Sequence, residues 1–165
     1  MKSVVVYESL WGNTAAIARA IAEGLGPEAV ALHTDEAGAE AVSGADLLVA
    51  GAPLLGFSLP TDQMREGIRA NPGSASEPAD LDHPSMRSWV EGLPAAAGRF
   101  ATFETRIWWS PGSAAGTIAK LLKEKGYSAA APAQKFLVTG RYGPLKAGEL
   151  EQARAWGVEL ARSAS

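Results

Sequence analysis

The chain has 165 residues, enough for one domain with a sizeable core, and 47% of them are hydrophobic, which excludes a disordered polymer. Its net charge is -3 with no lysine or arginine block, so no nucleic-acid surface is expected; it has no cysteine, which removes disulfides, thiolate metal sites and cysteine nucleophiles. The N-terminus lacks a basic leader and no apolar run is long enough to span a bilayer, so a cytoplasmic protein without a membrane span is expected.

The β-branched run Val4 to Tyr7 reads as a buried strand. Residues 14–25 place Ile17, Ala18, Ile21, Ala22 and Leu25 at helical spacing, and Gly26-Pro27 stops that helix. "AVALHT" (29–34) reads as a second strand and "DEAGAEAV" (35–42) as a short helix. "ADLLVAGAP" (45–53) is a strand whose Leu47–Ala50 core lacks polar alternation, which implies burial on both faces. Residues 60–70 read as a helix capped by Thr61 or Asp62. "NPGSASEPADLDH" (71–83) reads as a surface loop inserted into a single domain spanning 1–165. A short helix over 84–93 starts at Pro84, a strand follows over 98–105, then a helix over 112–127 with Ile118, Leu121 and Leu122 on one face. The last strand is "KFLVTG" (135–140), and the last helix (148–163) turns Leu150, Ala153, Trp156, Val158 and Leu160 inward.

Strands and helices alternate five times. That pattern predicts an α/β three-layer sandwich: a five-stranded parallel sheet of order 2-1-3-4-5 with helices on both faces. In such a sheet ligands sit at the carboxyl ends of the strands, where the winding direction changes between strands 1 and 3. Three loops reach that place: "ESLWGNT", "APLLGFSLP" and "TRIWWSPGS".

The first loop meets the needs of an anion site. The N–H groups opening helix 14–25 lack helical partners, Gly12 permits close approach, and Ser9, Asn13 and Thr14 can donate further hydrogen bonds. It matches neither the triphosphate-loop pattern nor the dinucleotide glycine pattern, so one phosphate held by neutral donors fits best. A capped turn without a ligand is the alternative. In the other loops, Leu54, Leu55 and Phe57 offer an apolar wall, and one of Trp108 and Trp109 can stack on a ring system. The alternative there is one tryptophan in the core and the other at the surface or in a dimer. His33 and His83 are far apart in sequence, His33 is read as lying away from the switch point, and neither a histidine metal cluster nor a Ser-His-Asp set is expected.

These residues resemble the flavodoxin-like family, the flavodoxin domain-containing proteins. "SLWGNT" is similar to the family's phosphate loop S/T-x-T-G-N-T, "GAPLLGFSLP" to its second flavin loop, and "FETR" to the start of its third. The resemblance implies non-covalent FMN, with the phosphate held by Ser9, Gly12, Asn13 and Thr14, and with Leu10 and Trp11 in the same loop. It also implies an isoalloxazine flanked by Ala52, Pro53, Leu54, Leu55, Gly56 and Phe57 on one side and by Thr105, Arg106, Ile107, Trp108 and Trp109 on the other. Trp11 departs from the family's threonine, leaving its backbone N–H as donor. Glu104 and Arg106 replace glycines; Arg106 can charge the flavin edge or pair with Glu104 or Glu8. The mild net charge argues against an acidic electron shuttle. The expectation is an FMN-binding protein in electron transfer or reduction of a small acceptor, with a redox partner or acceptor left open and a monomer or homodimer. The alternative is a flavodoxin-fold binding or structural module that has lost FMN.

Overall fold

A computed structural model describes residues 1–164. Its strands are β1 (Ser3–Tyr7), β2 (Val30–His33), β3 (Leu47–Pro53), β4 (Arg99–Arg106), β5 (Ser128–Ala129) and β6 (Gln134–Leu137). All pairings between them are parallel, in the order β2-β1-β3-β4-β5, and β6 also pairs with β4. The expected last strand is therefore in two pieces that start earlier and end earlier than 135–140. β5 pairs with Arg99 and Phe100, and β6 with Phe103 to Arg106. Pro132 lies in the gap, where a residue without an N–H cannot continue a ladder.

The helices are α1 (Asn13–Leu25), α2 (Ala39–Val42), α3 (Asp62–Ala70), α4 (Met86–Glu91), α5 (Ala114–Glu124) and α6 (Glu149–Ala164). α2 is shorter than its sequence suggested, because residues 35–37 form a turn closed by Glu36 and Ala37 N–H groups on the His33 carbonyl. Side-chain caps fix the starts of three others. Thr61 accepts from Met64 N–H, Ser85 from Ser88 N–H and Ser113 from Gly116 N–H.

Two apolar layers flank the sheet. One joins Val5, Leu47, Val49 and Phe103 to α1 and α6; the other joins Val4, Val6, Leu48 and Phe100 to α4 and α5. α6 turns Ala153, Trp156, Gly157 and Leu160 inward, whereas Leu150 and Val158, expected there, are 39% and 36% exposed. The face is displaced because α6 meets α1 through glycines. A Cβ on Gly157 would collide with the Ile21 carbonyl oxygen, and one on Gly24 with that of Arg154. Backbone-to-backbone approach of that kind sets the rotation of the helix.

Candidate functional site

Parallel pairing brings the carboxyl ends of β1, β3 and β4 to one edge, so the loops that follow them converge there. They enclose a cavity of about 520 Å³. Of the residues expected at a ligand, Ser9, Leu10, Trp11, Asn13, Thr14, Pro53, Leu54, Leu55, Gly56, Phe57, Thr105, Arg106, Ile107 and Trp109 line it. Three do not. Gly12 is exposed at the turn that starts α1, Ala52 is wholly buried in the sheet, and Trp108 is 75% exposed and off the lining. Other lining groups escaped the sequence. Met64, Gly67, Ile68 and Asn71 come from α3 and its end, and Val138 and Arg141 from β6's continuation. Met64 and Ile68, four apart on a helix following the second loop, were a usable signal. Arg141 was not, because its position depends on β6 pairing with β4.

The first loop has the geometry of an anion site. Gly12 has φ 95°, a left-handed conformation that glycine adopts without strain, and α1 begins directly after it. Ser9 Oγ accepts from the N–H groups of Gly12 (3.1 Å) and Ala15 (3.2 Å). Among the described residues, the N–H groups of Trp11, Asn13 and Thr14 form no hydrogen bond within the chain. These are the orphan donors of a helix start, and the helix dipole adds positive potential. The Thr14 hydroxyl meets that of Thr105 at 2.8 Å, tying the first loop to the third. The Asn13 amide donates to the Tyr142 carbonyl (3.2 Å).

Trp11 forms part of the wall. Its ring meets Tyr142 edge-on, with centroids 4.9 Å apart, and the Arg141 guanidinium stands 5.8 Å from its centroid. Its indole Nε1 is buried without a partner.

The third loop is closed on itself. Arg106 donates to Glu104 (3.0 Å) and to the Gly112 carbonyl (2.9 Å), so its charge is spent on Glu104. Glu104, 1% exposed, also accepts from Ser113 Oγ and from Ala115 N–H at the start of α5. Of the partners open to Arg106 in the sequence, the structure selects Glu104.

Glu8 opens the first loop and is fully buried. One oxygen accepts from Met86 N–H (2.8 Å); the other has no hydrogen bond, and Arg65 Nε lies 3.8 Å from it. Burial pushes its carboxyl up to about 7, against the smaller opposing effects of the Met86 N–H and Arg65.

Contrary to the sequence reading, His33 and His83 are neighbours beside this loop, with ring centroids 3.8 Å apart. Two connections bring them together. β2 pairs with β1 so that His33 stands beside Tyr7, and the end of the 71–83 loop returns over the strand ends, with Asp80 N–H donating to the Leu10 carbonyl (2.8 Å). Ser9 N–H donates to His33 Nε2 (3.3 Å). Burial lowers the pKa of both imidazoles, and for His83 the neighbouring His33 lowers it further. For Asp80 burial acts to raise the pKa, but the Asp82 N–H and His83 outweigh it and the net shift is downward.

Comparison with solved structures matches this architecture over nearly its full length. The chain is similar to a flavodoxin from the domain Archaea, with TM-score 0.69 and 20% identity over 99% of both chains. The fold is flavodoxin-like. Flavodoxin 2 from Bacillus cereus matches with TM-score 0.68 and 17% identity over 98% of this chain and 99% of that one. A flavodoxin, WrbA-like protein from Agrobacterium tumefaciens matches with TM-score 0.59 and 21% identity over 99% and 96%. No protein-family model and no curated protein sequence matches the chain. No helix among the described residues is long and apolar enough to cross a membrane.

Proposed function

We propose that this flavodoxin-like chain binds FMN and serves in electron transfer or in the reduction of a small acceptor, in the cytoplasm. One observation carries the reading. A single cavity at the β1–β3 switch point offers idle N–H donors and a hydroxyl at one end and an apolar, aromatic wall at the other. Its volume of about 520 Å³ lies within the roughly 300–1,000 Å³ of cofactor pockets. The N–H groups of Trp11, Asn13 and Thr14 would take the phosphate, with Arg141 supplying positive charge at that end. Leu54, Leu55 and Trp109 would flank the ring system. Bound FMN supplies the redox chemistry. The protein's part is to orient the ring, to exclude water with Leu54, Leu55 and Met64, and to hold the phosphate with backbone N–H groups beside Arg141. Arg106 is paired away, so the ring edge faces no free guanidinium from the third loop.

A second reading is favoured by Ser9 and Asn13. Ser9 Oγ takes the N–H groups of Gly12 and Ala15, and the Asn13 amide is turned to Tyr142, so these two side chains are engaged within the chain rather than free for a phosphate. In that reading the chain is a flavodoxin-fold module that has lost FMN. The visible spectrum of the purified chain and a fluorescence titration with FMN separate the two. Quenching that saturates at micromolar FMN, with weaker binding of riboflavin, supports the first; a colourless chain without quenching overturns it.

A further inference from the structure

His33, Asp80 and His83 do not line the cavity and have no part in the function proposed above. One ligand atom each from His33, Asp80 and His83 lies within 4.8 Å of the others. The Asp80 carboxylate spans both rings, with Oδ1 3.3 Å from His83 Nδ1 and Oδ2 3.8 Å from His33 Nδ1. We propose that His33, His83 and Asp80 form a site for a divalent transition-metal ion of the zinc type, fastening the 71–83 loop to the end of β2.

The donor set supports this assignment. Two imidazoles and one carboxylate make a three-ligand zinc set, and half-exposed Asp80 leaves the outer side open to water as a fourth ligand. Metal–ligand bonds of about 2.0–2.2 Å put ligand atoms a little over 3 Å apart; the 3.3 Å Asp80–His83 pair already has that spacing, and the rest of the set, within 4.8 Å, closes around the ion through the half-exposed Asp80 side chain. The rings are held in place before any ion arrives. Tyr7 stacks on His33 with centroids 4.8 Å apart, and His83 is buried with its Nε2 unpartnered, so Nδ1 is the one edge of that ring that is anchored. The charged surroundings are mixed. Arg65, which donates to the His83 carbonyl, opposes a cation, whereas Asp35 and Glu36 on the turn after β2 favour one.

Proton placement makes the proposal specific. The Ser9 N–H fixes His33 Nε2 as an acceptor, so in the neutral ring the proton sits on Nδ1. Coordination through Nδ1 moves that proton to Nε2, where it faces the Ser9 N–H and displaces that hydrogen bond. On His83 the proton moves likewise from the edge facing Asp80 to Nε2. Ion binding at this site is therefore read out at Ser9, in the first loop.

The experiment needs no FMN, so its failure is distinct from failure of the flavin reading. The chelator-stripped full chain is titrated with Co²⁺, followed by visible absorption, and then with Zn²⁺ in competition; the Ser9 amide is followed by NMR. The expected result is saturable binding of one ion per chain with a shift of the Ser9 amide. Affinity should fall at least about tenfold in His33→Ala, His83→Ala and Asp80→Asn. Asp80→Asn, at a half-exposed position, keeps the fold and decides the matter if a histidine variant is unstable. No saturable binding at millimolar Co²⁺, or binding that Asp80→Asn leaves unchanged, overturns the proposal.

Discussion

Glu8 and Glu104 are two buried glutamates at the carboxyl ends of β1 and β4, on either side of β3, and they live in opposite circumstances. Glu104 receives a guanidinium, a hydroxyl and a helix N–H. Glu8 receives one N–H, and its second oxygen receives none. Equal burial thus goes with very different hydrogen-bond satisfaction, set by the number of donors that follow each carboxylate inside. The loops share the contrast. The third loop spends its charges on itself, while the first retains unused donors, and a loop with unused donors is the one suited to receive an anion.

The contrast can be broken at its strongest point. Glu104→Ala leaves the Arg106 guanidinium and the Ala115 N–H without their partner in a buried place. A loss of about 3–5 kcal/mol in unfolding free energy is expected in denaturant titration. A loss below about 1 kcal/mol would show that the third loop is not held by this network.

Glu8 gives the opposite behaviour and a pH dependence. Folded, it keeps its proton up to about pH 7; unfolded, it ionises near its ordinary 4.5. Between those values the folded chain binds more protons, so this group's contribution to stability falls as pH rises from 4.5 through 7. The contribution amounts to at most roughly 3 kcal/mol, from 1.36 kcal/mol per pH unit. Glu8→Gln mimics the protonated form. It should match the parent chain at pH 5 and be more stable at pH 8, as measured by thermal melts at both values. Equal melting differences at the two pH values would contradict a raised pKa.

At the first loop, Gly12→Asp sets a negative charge among the idle donors. Aspartate tolerates the left-handed backbone better than most residues, so folding should survive. FMN affinity should drop about 100-fold, or about 2.7 kcal/mol, with far-UV dichroism unchanged. The smallest effect separates the tryptophan pair. Trp109→Ala should weaken FMN by up to about tenfold, in line with the roughly 0.5–1.5 kcal/mol of an aromatic pair, whereas Trp108→Ala should not change it measurably. Equal effects would mean that the cavity wall is misassigned.

Much of this was legible in the chain itself, for identifiable reasons. The unbroken apolar runs at 4–7 and 47–50 and the helical spacing of 14–25 are local signals, and the alternation of strands and helices gives the sheet order. The placing of the three loops follows from parallel pairing alone. The meeting of His33 and His83 was illegible, because it depends on an irregular loop folding back over β1. The split of the last strand turned on one proline, and the α6 face on two glycines far apart in the chain, Gly24 and Gly157. Arg106 shows the limit from the other side. Its type was readable, but its partner was a choice among acids that only the geometry settles.

The glycine contact between α1 and α6 also bears on the order in which the molecule can assemble. During synthesis, α1 emerges with its groove shaped for the backbone of a helix that does not yet exist. Most of the chain must follow, at roughly 5–20 residues per second, before residues 149–164 arrive to cover it. Until then the α1 face that receives α6, around Gly24 and the Ile21 carbonyl, lacks its partner. Closure of that side is thus a late, long-range event, the kind of non-local contact that slows folding.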